Sequence, residues 1–131
     1  MERIFVHIMN KVLLSIGTNT DREVNLAHCH ELLNNIFDEI HYSQTSITEP
    51  YGHKYKNDFL NQLAIAYSEK DKDSIYQLLK DTEKKMGRKT TDKDTGVVVI
   101  DIDLVIWNEE VLKPSDISRS YIADLLPTLN I

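Results

Sequence analysis

The chain has a single cysteine, three prolines, four glycines and one tryptophan among 131 residues. Cys29 alone cannot close an internal disulfide and has no zinc-type spacing around it, which makes a reducing compartment the default. So little proline and glycine excludes collagen-like and low-complexity chains, and 41% hydrophobic with 27% charged residues is the composition of an ordinary globular protein. Positive charge is also short. Fifteen lysines and arginines face twenty-one acids, giving a formal charge of −6. The cations are scattered rather than gathered on one periodic face, so nucleic acid is not an expected partner. A chain this acidic needs a divalent metal or a local basic pocket to bind a polyanion. Long apolar runs are missing too. Glu2, Arg3, His7, Asn10 and Lys11 interrupt the first 16 residues, no stretch approaches the ~20 apolar residues of a span, and no small-residue cleavage site follows. The expectation is a cytoplasmic, monomeric protein of one domain over residues 1–131, with 1–10 a possible extension and Met9 a second candidate start.

What is present is a regular alternation of patterns. Residues 12–16 form a β-type run that stops at Gly17-Thr18-Asn19. Thr20 with Glu23 makes a capping box, and Leu26, Cys29, Leu33, Ile36 and Phe37 recur at helical spacing to about residue 38, with Cys29 on the buried stripe. Residues 40–48 and 59–67 read as paired strands. Ile75, Leu78, Leu79, Thr82 and Met86 then mark a helix that Gly87 stops. Residues 89–95 form a polar loop with no apolar anchor, expected to be mobile unless bound. Residues 97–107 carry the strongest strand signal, and the tail from 114 onward adds a short helical or irregular piece. The order βαββαβ predicts an α+β, ferredoxin-like fold: an antiparallel sheet with helices packed on one face. His28 and His30 fall on the first helix as expected surface residues, and His53 falls in the loop after the second strand.

Strand alternation places Ile100, Ile102, Leu104 and Ile106 on one face of the last strand and Asp101 with Asp103 on the other. Asp is depleted in strands and neighbouring like charges repel, so two aspartates in an apolar run point to a cation that joins them. Mg²⁺ fits best, because it takes one or two carboxylates and completes its octahedron with waters and substrate phosphates. A solvated outer face carrying acids for solubility is the competing explanation of the same pattern.

With this pair in place, the chain resembles the 6-hydroxymethyl-7,8-dihydropterin pyrophosphokinases over about residues 11–127. The resemblance rests on Ser15-Ile16-Gly17-Thr18-Asn19, Ser46-Ile47-Thr48-Glu49-Pro50-Tyr51-Gly52, Phe59-Leu60-Asn61, Glu83 with Met86-Gly87-Arg88, and Ile100-Asp101-Ile102-Asp103-Leu104. It implies Mg²⁺-dependent transfer of pyrophosphate from ATP to the pterin hydroxymethyl, with release of AMP, in folate biosynthesis. Two Mg²⁺ ions would be held by Asp101 and Asp103. The pterin slot would be formed by Thr48, Glu49, Tyr51, Phe59 and Asn61, with Tyr121 as second stacking wall. Lys80, Glu83, Arg88, Leu104 and Arg119 would lie on the nucleotide side, Lys80 standing where a glutamine is expected.

The chain also departs from the pattern. Where the family carries arginines, this sequence has Thr90, Asp94 and Val98; it lacks a tryptophan and a proline before the aspartates and a histidine after them, and its C-terminus is short. Phosphoryl transfer depends on cations around the phosphate oxygens, so these losses support an alternative: a degenerate paralogue that binds pterin or nucleotide without efficient transfer. Lys89, Lys93 and Lys113 are candidates to compensate, as point charges without the arginine fork. A ferredoxin-like interaction domain without a ligand is the third reading.

Overall fold

Buried Val12, Leu14 and Ile16 alternate with Leu13, Ser15 and Gly17 along the first strand, so the two faces of this strand serve two different purposes. The structure is a computed structural model and describes residues 9–50, 55, 57–117 and 119–129. In chain order it contains β1 (Asn10–Thr18), α1 (Arg22–Asn34), β2 (Glu39–Thr48), β3 (Phe59–Ser68), α2 (Lys72–Lys85), α3 (Asp92–Thr95), β4 (Asp101–Trp107), β5 (Glu110–Val111), α4 (Pro114–Ile117) and α5 (Ser120–Leu125), followed by a 3₁₀ turn (Leu126–Thr128). The sheet runs β2-β3-β1-β4-β5 with every neighbouring pair antiparallel. Its first four strands give the ferredoxin-like order expected from βαββαβ.

α1 and α2 cover one face. Leu26, Cys29 and Leu33 of α1 and Ile75 and Leu79 of α2 meet Leu14, Ile16, Ala64, Ile100 and Ile102 in the main core. The opposite face carries a smaller cluster, in which Tyr121, Ile122 and Leu125 of α5 pack on Leu13, Leu63 and Val105. The tail thus closes the second face of the sheet.

Several local expectations are corrected. α1 starts at Arg22, not through a Thr20–Glu23 capping box: the chain enters through Asp21 in the left-handed region (φ 40°) with no side-chain cap. The carbonyl of Thr20 instead accepts from the Asn25 side chain at 2.7 Å. The helix ends at Asn34, and Phe37 is buried from the turn beyond it. The last strand begins at Asp101 rather than 97 because Val98 is bonded to Asn19, outside any ladder. Ile106 leaves the face of Ile102 and Leu104: the register slips between Leu13 and Leu14, a bulge that turns Val105 and Ile106 toward the α5 cluster. The segment 89–95 folds into α3, its entry closed by the Lys89 amide on Asp92 Oδ2 at 2.8 Å. His30 is half-buried, bonded to Gln62 and stacked on Tyr42 with ring centroids 3.8 Å apart.

Candidate functional site

The end of β1, the start of β4, the start of β3 and the end of β2 meet at one end of the sheet. Register alone brings chemistry together there. Gly17 lies opposite Asp101 on one side and Asn61 on the other; Ser15 lies opposite Asp103; Asn61 lies opposite Ser46, and Phe59 opposite Thr48. Residues paired in this way share a face. Gly17 keeps the floor low: a Cβ there would stand 3.5 Å from Asn61 Oδ1 and 3.6 Å from the Phe59 ring.

Above this floor is a cavity of about 350 Å³, lined among others by Ser15, Gly17, Thr48, Phe59, Asp101, Asp103, Arg119 and Tyr121. It has aromatic rings from β3 and α5, and two carboxylates from β4. Asn61 is buried beside Gly17, and its Nδ2 donates to Thr48 Oγ1 at 2.8 Å and Ser46 O at 3.3 Å, which ties β2 to β3 at the rim. Phe59 meets Tyr55 edge-on at 5.2 Å. Glu49 is exposed beyond the end of β2. Tyr51, together with His53, lies outside the described residues.

The carboxylates already have cations beside them. Arg88 Nη1 donates to Asp101 Oδ1 at 2.8 Å and to Ile100 O at 3.2 Å, and pairs with Glu83 Oε2 at 3.1 Å. Burial works against the Arg88 charge, but Asp101, Glu83 and Asp103 outweigh it and hold its pKa above the ordinary value. Lys113 Nζ is 3.9 Å from Asp103 Oδ1. Glu83 is buried rather than solvated, and its Oε2 accepts from the Ile102 amide at 2.7 Å while Lys80 approaches Oε1 at 3.3 Å. It therefore braces β4 and orients Arg88.

Two further cavities adjoin the first. One of about 210 Å³ lies between α2 and β4 and is lined by Tyr76, Lys80, Asp103, Leu104, Leu112 and Lys113. The other, about 430 Å³, is lined by Lys80, Lys84, Arg88, Lys89, Thr90 and Val98. Lys80, Leu104, Arg88 and Arg119 thus all border one or more of these adjoining cavities, and Glu83, though buried, also lines the third.

Among the described residues no three His, Cys, Asp or Glu side chains form a metal cluster. Two hard carboxylates on one strand, open to a cavity, nevertheless fit Mg²⁺, which draws its remaining ligands from water and substrate. Ser15, Tyr55 and Asn19 are parts of the site that sequence reasoning did not find. Asn19 is fully buried; its side chain donates to Gly96 O at 2.9 Å and accepts from Val98 N at 2.6 Å, fixing the chain that enters β4. Only its position in the turn after β1 was legible.

The family model for 7,8-dihydro-6-hydroxymethylpterin-pyrophosphokinase matches residues 13–131. No curated protein matches the chain. No helix among the described residues is long and apolar enough to cross a membrane.

Proposed function

From its membership in the 7,8-dihydro-6-hydroxymethylpterin-pyrophosphokinase family, to which the chain belongs, we propose that it transfers the β,γ-pyrophosphoryl group of ATP to the hydroxymethyl oxygen of 6-hydroxymethyl-7,8-dihydropterin. One P–O bond forms at the β-phosphorus and the bond to the α,β-bridging oxygen breaks. AMP leaves, and the hydroxyl proton is released. The observation that carries this reading is the juxtaposition in one cavity of Asp101 and Asp103 with the rings of Phe59 and Tyr121. Planar heterocycles are held by stacking and a few fixed polar groups, and the two carboxylates supply the anionic half of a metal site.

In this reading Asp101 and Asp103 hold two Mg²⁺ ions, which when bound offset the charge of the phosphate oxygens and align the transferring group. Phe59 and Tyr121 enclose the pterin, with Asn61 and the Thr48 end of β2 at its edge; the family resemblance adds Glu49 and Tyr51 to the pterin-binding residues. With Mg²⁺ held at Asp101, Arg88, which now donates to Asp101, would be available to the phosphates, and its pairing with Glu83 would keep the guanidinium within reach. Leu104 and Lys80 line the nucleoside side, and Arg119 stands at the mouth. No covalent enzyme intermediate is needed; alignment and cations do the work.

One observation favours the alternative of a binding module: Val98, at a position where the family pattern has an arginine, lines two of the three cavities with an apolar side chain. The test is AMP release from ATP with Mg²⁺ and 6-hydroxymethyl-7,8-dihydropterin, alongside Asp101→Asn. Pterin-dependent AMP that drops by at least about 10²-fold in the variant is expected, the scale of losing one charge-stabilising group. Pterin binding without AMP in the wild type would establish the binding module, and turnover unchanged in Asp101→Asn would overturn the metal assignment.

A further inference from the structure

Positive charge, short in the chain as a whole, collects at the cavity of about 430 Å³ beside the end of α2. Four cations line it, Lys80, Lys84, Arg88 and Lys89, against two carboxylates, Glu83 and Asp92. Two of the cations are already engaged: Lys80 with Glu83 at 3.3 Å, and Arg88 with Glu83 at 3.1 Å and Asp101 at 2.8 Å. Lys84 and Lys89 are exposed and make no ion pair among the described residues.

Helix chemistry accounts for only part of this. Lys84 and Lys85 both occupy the last turn of α2, where a cation offsets the helix dipole. Only Lys84 lines the cavity, one turn after Lys80 on the same face. Lys89 follows the positive-φ turn at Gly87 (φ 102°), and its amide donates to Asp92 Oδ2 at 2.8 Å, so the backbone that carries its ammonium is fixed at the cavity wall. Thr90 and Val98 line the same space and offer no charge.

The three cavities converge on a few shared side chains. The cavities of about 350 and 430 Å³ share Tyr55, Arg88 and Val98; those of about 350 and 210 Å³ share Asp103; those of about 210 and 430 Å³ share Lys80. Displacement at the β-phosphorus sets the attacking and leaving oxygens in line, so the γ-phosphate, bridged to that same phosphorus, projects sideways from the axis. Three groups therefore diverge from one atom. With the pterin in the aromatic cavity and the nucleoside beside Leu104, the basic cavity is left for the third group. We propose that Lys84 and Lys89 hold the terminal phosphate of the nucleotide there, which makes them the residues by which the site distinguishes a triphosphate from a diphosphate. The inference rests on the nucleotide half of the reading above.

The experiment is calorimetric titration of the full chain with Mg²⁺ and the α,β-methylene analogues of ATP and ADP, in about 0.15 M salt, where exposed charges more than about 8 Å apart are largely screened. Lys84→Gln and Lys89→Gln are each expected to weaken the triphosphate analogue by about 3- to 10-fold, the scale of one hydrogen bond to a charged group, and the double variant by more than either. The diphosphate analogue should stay within about twofold of the wild type in all three. Lys85→Gln, which removes a neighbouring charge outside the cavity, should leave both analogues within about twofold. Equal weakening of the two analogues, an unchanged triphosphate affinity in the double variant, or a matching loss in Lys85→Gln each overturns the assignment. A wild type that binds neither analogue overturns the nucleotide reading, and this inference falls with it; a wild type that binds both while the double variant loses nothing overturns this inference alone.

Discussion

At the scale of single residues the most informative group is Glu83, a carboxylate in the last turns of α2 that a sequence reading would leave in solvent. Burial pushes its pKa up; the Ile102 amide, Arg88 and Lys80 pull it down, Asp101 adds to the rise, and the net is upward from the ordinary 4.5. A carboxyl whose folded pKa exceeds its unfolded value stabilises the fold most when protonated. That contribution is complete below the unfolded value and is lost as pH rises through the folded one. Glu83→Gln keeps an acceptor for the Ile102 amide and cannot ionise, so its stability should lack this decline. Urea denaturation of both proteins from about pH 4 to about pH 7 should show the wild type losing ground against the variant as pH rises. Parallel curves would mean that Arg88 and Lys80 fully compensate the burial of the charge. Glu83 is thus tolerated in the core for the geometry it imposes on β4 and Arg88 rather than for its own stability.

At the scale of elements, the segment between α2 and β4 is tied to the end of β1 through the side chain of Asn19. Asn19 bridges Gly96 O and Val98 N, and its own amide donates to Val98 O at 3.0 Å. Asn19→Ala leaves two backbone groups without these partners and should cost about 2 kcal/mol or more, read as a lower denaturation midpoint. Turnover should fall further than stability does, because Val98 and Arg88 border the same cavities; a variant as stable and as active as the wild type would remove Asn19 from this role. The same segment marks where legibility in the sequence ends. Asp101 and Asp103 on one face, the helix built on Ile75 and Leu79, and the βαββαβ order were all readable, because period-2 and period-3.6 patterns are local. The displaced Ile106 was not, since the bulge arises from pairing with β1. Nor were the late start of β4, fixed by the long-range contact of Asn19 with Val98, and the entry to α1 through Asp21, where a local side-chain bond from Asn25 to the Thr20 carbonyl stands in place of the capping box. Of the site, most residues carried by motif were legible, whereas Ser15, though within a motif, received no role from it, and Tyr55 joins the cavity only through tertiary packing.

At the scale of the whole molecule, the proposed function asks a chain of net charge −6 to accept a nucleotide polyanion. Its cations are distributed accordingly: Lys72, Lys80, Lys84, Arg88, Lys89, Lys113 and Arg119 each line at least one of the three adjoining cavities. Asp101 and Asp103 oppose them from the same wall. On the proposed function these carboxylates would repel the phosphates and keep Arg88 occupied unless a divalent ion were held between them. Nucleotide binding should therefore be conditional on metal, and the condition is visible in stability because a ligand that binds only the native state raises the unfolding temperature by mass action. At a hundredfold excess over Kd the gain is about 2.7 kcal/mol, roughly 10 °C for a domain of this size. A non-hydrolysable ATP analogue with Mg²⁺ is expected to approach that shift, whereas the analogue with EDTA or Mg²⁺ alone should give only a small fraction of it. Asp101→Asn should lose most of the metal-dependent part while unfolding cooperatively on its own. An equal shift with and without Mg²⁺ would mean that the lysines alone bind the nucleotide, and no shift in any arm would return the chain to the reading of a ferredoxin-like interaction domain whose acidic pair serves solubility.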